Sequence, residues 1–357
     1  MDEQHVFYFE EVPLDENEED DAAKEATASY KRVDCAASGD VPAKRGGATL
    51  SLVEAHGEKL LYLIGGANRE ARMFNDVHVY NVGTGSWSQV HVANSAAFQA
   101  RSGHSAVVLG TRIFVFGGLN LPLQTTFNDV HILDTATKSW SAPIVLNDPP
   151  RPRNAHTAVV TTNGMVVIGG SSPTDGPMSD VFLLTVHEPT LRWIRIDCNG
   201  PVMAPRELHA AVRLSTKRER IYVSGGRLEN GQLCCEVATL DVASWTWHVQ
   251  SSGGFRRCGH VIGLLDTGIV QYGGWDGGNG FCNDCWEHPV GDEEQLAPAT
   301  LDEARHGDHV LLEDGVDVVH DGGRLGHAAC VVDNRLFVFG GMTVKDDLAD
   351  LWHLARC

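Results

Sequence analysis

The chain has 357 residues, of which 43% are hydrophobic, and its formal net charge is −19. This charge is concentrated, because residues 1–25 contain 11 acids and one Lys, residues 286–323 contain 11 acids and one Arg, and the remainder is almost neutral. Because the rest of the chain is almost neutral, it has no general electrostatic reason to bind nucleic acid. The sequence also contains no run of about 18 apolar residues, which a membrane helix would need.

The chain begins with an acidic segment, which we predict to be a tail over residues 1–27. It lacks the basic start and the apolar run of a secretory signal. Nine cysteines, an odd number without regular spacing, favour a reducing compartment, so we expect a cytoplasmic or, alternatively, a nuclear protein. Inside the tail, HVFYFEEVP (5–13) is unusually apolar, which predicts either docking on the wall of the domain that follows or a short linear motif.

An internal repeat dominates the rest of the sequence. Six short apolar runs end in a glycine pair, and the steps between the pairs are 52, 52, 56, 48 and 67 residues. Runs rich in β-branched and aromatic residues are typical of buried strands, and a repeat near 50 residues predicts a propeller of four-stranded blades. The runs are LYLIGG (61–66), IFVFGG (113–118), MVVIGG (165–170), IYVSGG (221–226), IVQYGG (269–274) and LFVFGG (336–341).

The same residue types recur around every glycine pair. Upstream lies Arg-x-x-His, except in the first repeat, where RGGA (45–48) has no histidine. Downstream an acid precedes a further apolar strand, and a tryptophan marks the outer strand in four repeats. The arginines are Arg45, Arg101, Arg153, Arg206, Arg257 and Arg324; the acids are Asp76, Asp129, Asp180, Glu236, Asp284 and Asp350; the tryptophans are Trp87, Trp140, Trp193 and Trp247.

The recurring glycine pair, arginine, acid and tryptophan form a frame that resembles the kelch repeat, of the kind found in the central domain of galactose oxidase. Six copies of this frame in register cover roughly residues 28–357. The resemblance implies an all-β, six-bladed kelch β-propeller. The sixth repeat ends without an outer strand, while residues 27–47 align with residues 84–104. We therefore predict that residues 28–34 complete the last blade, which leaves no open edge between the first and last blades.

The fifth repeat departs from the pattern, because no tryptophan occupies its outer-strand position. Spacing from His327 places the fourth strand at Leu311, within HVLL (309–312), and makes about residues 291–308 an acidic insertion. Blade geometry then predicts that this insertion and the acidic tail meet at one pole of the propeller. Such a pole would either steer a basic partner or simply aid solubility, and we favour the second interpretation.

The recurring charges predict ion pairs within or between blades; the alternative is an anion-binding channel. We expect the recurring histidines to be packed strand-start residues.

Cys282-x-x-Cys285 is a single pair without the second pair that a zinc site needs. A looser group of potential ligands lies in the insertion, and we predict no metal there either. Its members are His306, Asp308, His309, His320 and Asp321.

The loops that follow the glycine pairs vary while the frame stays fixed, so they are free to encode a partner. The fold predicts a non-catalytic scaffold or adaptor, monomeric, that binds a protein or peptide, without catalytic residues, cofactor, nucleic acid or membrane. The alternative is a metal-dependent enzyme or small-ligand site in the channel. The candidate partner-binding residues are Arg69, Arg72, Asn120, Gln124, Arg227, Asn230, Trp275 and Asp276.

Overall fold

The structure is a computed structural model that describes residues 30–186, 190–214, 218–250, 256–288, 308–310 and 323–356. The strands form six main sheets, and each sheet contains four antiparallel strands. The predicted all-β, six-bladed propeller is therefore confirmed. The acidic tail and most of the insertion lie outside the described residues, so the pole that they were expected to form stays a prediction.

Each blade is a meander whose first strand lies nearest the axis, where it contacts the first strands of its neighbours. Blade one comprises Thr49–Ala55, Glu58–Ile64, Val77–Asn81 and Ser86–Gln89. Blade two comprises Ser105–Leu109, Arg112–Phe116, Val130–Asp134 and Ser139–Ser141. Blade three comprises Thr157–Thr161, Gly164–Ser172, Gly176–Thr185 and Leu191–Ile196.

The second half of the chain repeats this meander. Blade four comprises Ala210–Leu214, Arg220–Ser224, Val237–Asp241 and Thr246–Gln250. Blade five comprises Val261–Leu265, Gly268–Tyr272, Cys285–His288 and Asp308–Val310. Blade six comprises Ala328–Val332, Arg335–Phe339, Leu351–Arg356 and, as its outer strand, Tyr30–Asp34. The fourth strand of blade five thus begins one residue before the predicted segment HVLL (309–312).

The two ends of the chain meet in blade six, as predicted. Tyr30–Asp34 pairs antiparallel with Leu351–Arg356 along its whole length. Tyr30 is buried in the place that a tryptophan takes in blades one to four, and Arg32 donates to the carboxylate of Asp350 at 3.0 Å. The outer strand is therefore held by its ladder, by an apolar anchor and by an ion pair to one of the recurring acids.

The hydrophobic core lies between blades rather than inside any one of them. One cluster joins Phe116 of blade two to Met165 and Trp193 of blade three, and another joins Ile168 of blade three to Trp247 of blade four. This arrangement explains why the second strands are continuously apolar, since both of their faces are covered. Every blade therefore depends on its two neighbours for burial.

Short accessory elements decorate this frame. Ser38–Gly39 and Val145–Leu146 add a parallel fifth strand to the outer edges of blades one and three. Leu119–Asn120 and Thr125–Thr126 form a small hairpin above blade two, and a 3-10 turn spans Ser95–Ala97. Within the described ranges, no helix is both long and apolar enough to cross a membrane.

Candidate functional site

The six recurring arginines are buried, and each of them pairs with the recurring acid of its own blade. Arg45 donates to both carboxylate oxygens of Asp76 at 2.5 and 3.0 Å, and Arg153 donates to both of Asp180 at 2.6 and 3.0 Å. Every one of these arginines also donates to the carbonyl of the first glycine of its pair. The remaining ion pairs are Arg101–Asp129, Arg206–Glu236, Arg257–Asp284 and Arg324–Asp350.

The backbone of the same arginines bonds to the preceding blade. The amide of Gly66 in blade one donates to the carbonyl of Arg101, whose side chain reaches Asp129 in blade two. The same bond recurs at all six joints, from Gly118 to Arg153 and finally from Gly341 to Arg45. Each arginine therefore clamps two blades together, and its charge is neutralised by a carboxylate within hydrogen-bonding distance. This geometry is that of ion pairs that hold the blades together, and it does not fit an anion-binding channel as well.

Hydrogen bonds hold the carboxylates in their ionised form. Burial alone would raise the pKa of Asp76, but hydrogen bonds from His78 and Arg45 bring that pKa well below its usual value. The same balance, with His131 and Arg101 as donors, lowers the pKa of Asp129. These acids are therefore ionised at neutral pH and belong to the frame of the protein.

The recurring histidines pack against the preceding blade, as expected. The ring nitrogen of His156 lies 2.8 Å from the Ser105 hydroxyl, and that of His209 lies 3.0 Å from the Thr157 hydroxyl. Burial, with the charge of Arg206 as a second cause, lowers the pKa of His209 to about 3. A Cβ on Gly117 would come within 2.9 Å of the His156 ring, and the first glycine of every pair except Gly340–Gly341 makes room for an imidazole in the same way.

A closed ring of backbone hydrogen bonds surrounds the axis, and sequence reasoning missed it. The third residue of each Arg-x-x-His segment donates its amide to the same position in the adjacent blade, at 2.7 to 3.2 Å. All six residues have positive φ, including the non-glycines Ala155 (51°) and Leu208 (55°). The members are Gly47, Gly103, Ala155, Leu208, Gly259 and Gly326.

The mouth of the channel differs from blade to blade. In every blade the residue after the arginine forms a β-bridge with the residue after the glycine pair. In blade four this bridge carries charge: Arg227 donates to Glu207, which also accepts a hydrogen bond from Ser171. The other bridges carry small, polar or apolar side chains: Gly46–Ala67, Ser102–Leu119, Asn154–Ser171, Cys258–Trp275 and Leu325–Met342.

Three of the predicted partner-binding residues contact other parts of the protein. Arg69 pairs with Asp347 and donates to two carbonyls of the blade-six loop, so it ties blade one to blade six. Arg227 belongs to the bridge just described. Asn120 is 6% exposed, because its amide donates to Ala100 and accepts from the backbone of Leu123. The structure gives these three side chains roles in shaping the loops.

Four of the other predicted residues lie at exposed loop tips. Arg72 lies over the ring of Phe74 at 5.1 Å, and Gln124 ends the hairpin of blade two with φ of 49°. Asn230 and Asp276 are exposed and accept hydrogen bonds from backbone amides of their own loops.

Trp275, the last of the eight, is half-buried. Its indole nitrogen donates to the carbonyl of Gly278 at 2.7 Å, within its own loop. The eight residues therefore lie on loops of four different blades.

The most exposed apolar side chains on these loops were not predicted. Leu121 and Leu123 are 50% and 62% exposed at the tip of the blade-two hairpin, and Val344 is 60% exposed in blade six. Beside Val344 a depression of about 260 Å³ lies between Phe281 of the blade-five loop and Leu348. The run Leu-Pro-Leu (121–123) was the available signal, since three apolar residues in a surface loop are unusual.

The described ranges offer little support for a metal site or a reactive cysteine. They contain no group of three His, Cys, Asp or Glu side chains arranged to hold a metal ion, and their eight cysteines are free thiols. Burial raises the pKa of Cys282 to about 12, which disfavours the thiolate that binds zinc. The side chains of the candidate group in the insertion, from His306 to Asp321, lie outside the described residues.

Six blades, clamped arginines and glycine pairs at every joint define a kelch-type propeller, and comparison with known proteins agrees. A model of the KLHDC2/KLHL20/DRC7 Kelch-repeats domain matches residues 16–212 and 155–320, and the Kelch motif matches residues 323–354. The chain therefore belongs to the kelch-repeat family.

Several curated proteins are similar to this chain. Kelch domain-containing protein 3 of Mus musculus is 34% identical over 231 residues, which is 60% of this chain and 58% of that protein. Kelch domain-containing protein 1 of Mus musculus is 34% identical over 158 residues, 44% of this chain and 37% of the relative. The Rab9 effector protein with kelch motifs of Bos taurus is 30% identical over 195 residues, 53% and 50% of the two chains. The chain thus spans between about a third and three fifths of these relatives.

Proposed function

We propose that this protein is a non-catalytic scaffold or adaptor that binds a partner protein or peptide through the loops after the glycine pairs. The observation that carries the proposal is the contrast between a frame of repeated ion pairs and loops that expose different side chains in each blade. One relative is named as a Rab9 effector, which supports a protein-interaction role for the family. Which partner binds here does not follow from that name.

The contact that we assign to the partner includes the apolar side chains at the loop tips. Leu121 and Leu123 present two aliphatic side chains on a hairpin held by Asn120, and Val344 presents a third in blade six. A buried leucine contributes about 1.5 to 3 kcal/mol relative to an exposed one. Ordered apolar side chains on a stable support are typical of interface anchors, because little conformational entropy is lost when they bind.

The test is quantitative affinity capture from the native cells with two tagged variants. Leu121→Ser/Leu123→Ser/Val344→Ser removes the loop-tip side chains. Ile144→Ser/Ile194→Ser, on the outer wall of blade three, removes exposed apolar side chains elsewhere. We expect at least tenfold less recovery of specific partners with the loop variant and unchanged recovery with the wall variant. Equal recovery by wild type and the loop variant would contradict the proposal.

The sequence left open a metal-dependent enzyme or a small-ligand site in the channel. Elemental analysis of the purified full chain addresses this alternative, and a stoichiometric metal would favour it over a scaffold. We further propose a monomeric protein of the cytoplasm or nucleus, in keeping with the free thiols. Sedimentation analysis and imaging of a tagged chain in its native cells test these two points.

A further inference from the structure

The outer wall of blade three carries an apolar patch that the proposed function does not use. Ile144, Leu146 and Ile194 are 86%, 37% and 42% exposed. Val145–Leu146 runs parallel to the outer strand, with Leu146 opposite Arg192. Because side chains alternate along a strand, Ile144, Leu146, Arg192 and Ile194 face the same side of this edge.

The other blades show that the frame does not require this patch. Ile194 follows the outer-strand tryptophan Trp193, and the residue after the equivalent tryptophan is Ser88, Ser141 or His248 in blades one, two and four. The accessory strand of blade one, Ser38–Gly39, is polar where that of blade three is Val145–Leu146. A repeat protein that uses aliphatic side chains at these positions in only one of the four blades with an outer-strand tryptophan has a local reason to do so.

The same edge is incomplete and basic. The accessory strand pairs with the outer strand only at Leu191 and Arg192, so the described structure shows no strand on the outer side of the segment from Trp193 to Ile196, whose inner side pairs with Gly176–Thr185. Arg192 and Arg195 are exposed, and Asp197 follows them, which leaves a net charge of +1 on the edge. The corresponding strands Ser86–Gln89, Ser139–Ser141 and Thr246–Gln250 carry no lysine, arginine or acid.

The chain contains a segment whose chemistry matches this edge. Residues 5–13, HVFYFEEVP, combine four consecutive apolar or aromatic residues with two glutamates. Phe9 precedes Tyr30, in the blade opposite blade three, by 21 residues, which extend to about 70 Å. A compact domain of this size measures about 50 Å across, so the segment can reach the opposite wall of its own molecule.

We propose that the outer wall of blade three binds residues 5–13 of the same chain. Phe7 and Phe9, which share a face of an extended segment, would cover the aliphatic patch, while Glu10 and Glu11 would lie near Arg192 and Arg195. An extended segment beside the outer strand would continue the sheet where the accessory strand stops, which is a common mode of peptide recognition. The proposal is independent of the partner site on the post-glycine loops.

Hydrogen–deuterium exchange of the full chain tests the proposal. A synthetic peptide of residues 1–25 gives the unprotected exchange rates. We expect residues 5–13 of the wild-type chain to exchange at least fivefold more slowly than this peptide, and Ile144→Ser/Ile194→Ser to abolish the protection. Leu121→Ser/Leu123→Ser is the matched control, since it also removes two exposed aliphatic side chains and should leave the protection intact.

Three results would overturn the proposal. Exchange of residues 5–13 at the peptide rate in the wild-type chain would show that nothing covers the segment. Loss of protection in the Leu121/Leu123 variant, with protection kept in the Ile144/Ile194 variant, would place the contact on the hairpin. Protection that rises with concentration between about 1 and 50 µM would mean that a second copy supplies the segment. Unchanged exchange of the central strands in each variant excludes unfolding as the cause.

Discussion

Lowering the pH from 7.5 to 5.5 is expected to destabilise the protein strongly, because five buried histidines resist protonation in the folded state. Burial lowers the pKa of His104, His209 and His327 to about 3, and it lowers the pKa of His156 and His260 well below the usual value. An unfolded histidine has a pKa of about 6.5. Between that pH and about 3, the unfolded state binds protons that the folded state does not, so stability falls as the pH falls.

The magnitude follows from the two pKa values. At pH 5.5, each of these histidines lowers the free energy of unfolding by about 1.4 kcal/mol relative to pH 7.5. Five of them together lower it by about 7 kcal/mol, a large fraction of the 5–15 kcal/mol that stabilises a typical folded protein. The depressed pKa of Asp76 and of Asp129 acts in a separate window, because its stabilisation is lost only as the pH falls below about 4.

The assay is denaturant unfolding, followed by tryptophan fluorescence at pH 7.5, 6.5 and 5.5. His156→Gln should reduce the difference between pH 7.5 and pH 5.5 by about 1.4 kcal/mol, whatever its effect at pH 7.5. His56→Asn is the control, since His56 is exposed in a turn and its loss should leave the difference unchanged. An unfolding free energy that is equal at pH 7.5 and 5.5, or an identical difference in the His156 variant, would refute the reasoning.

Three further perturbations test the frame by chemical denaturation or exchange. Asp180→Asn should cost about 3 kcal/mol, because it leaves the buried guanidinium of Arg153 without its counter-charge; a loss below 0.5 kcal/mol would show that the clamp is dispensable. Leu208→Gly should raise stability by about 1 kcal/mol, and Gly103→Leu should lower it by 1 kcal/mol or more, because both positions have positive φ. Both variants having the stability of the wild type would contradict a strained ring. Arg32→Met should speed amide exchange of residues 30–34 at least threefold without changing blades two to four, and uniform exchange would argue against a local anchor.

The sequence was sufficient for the frame because the frame repeats. Glycine pairs, arginines and acids recur at matching spacings, so each blade corroborates the assignment of the others. The closure by Tyr30–Asp34 followed from an alignment of the chain with itself and is present in the structure. The same logic identified the fourth strand of blade five close to Asp308–Val310, although no tryptophan marks it.

The candidate site was harder to predict because loop side chains find partners that are distant in sequence. Arg69 pairs with Asp347, a residue in the last blade, and no sequence pattern near either residue indicates that contact. Asn120 resembles an exposed recognition residue in the sequence, but the hairpin turns its amide inward. Polar character alone therefore does not tell which side chains of these loops face solvent, because the conformation of each loop decides it.

The central ring shows how a repeat hides a structural requirement. Four of its six positions are glycine, which alone would suggest a backbone constraint, but Ala155 and Leu208 occupy the other two. The left-handed conformation at these residues costs about 1 to 3 kcal/mol each. It persists because the flanking arginine clamps, the packed histidines and the ring's own hydrogen bonds fix the backbone on both sides.

This division of labour predicts that substitutions in the loops and substitutions in the frame have separate effects on the proposed binding and on stability. Each arginine uses its backbone for one blade and its side chain for the next, so the joints are complete before any post-glycine loop is considered. A substitution at Leu121 or Val344 then leaves every clamp intact, whereas one at Asp180 removes a counter-charge from the frame. The two classes of variant should therefore separate experimentally: loop-tip changes alter which partners are captured at unchanged stability, and clamp changes lower stability first.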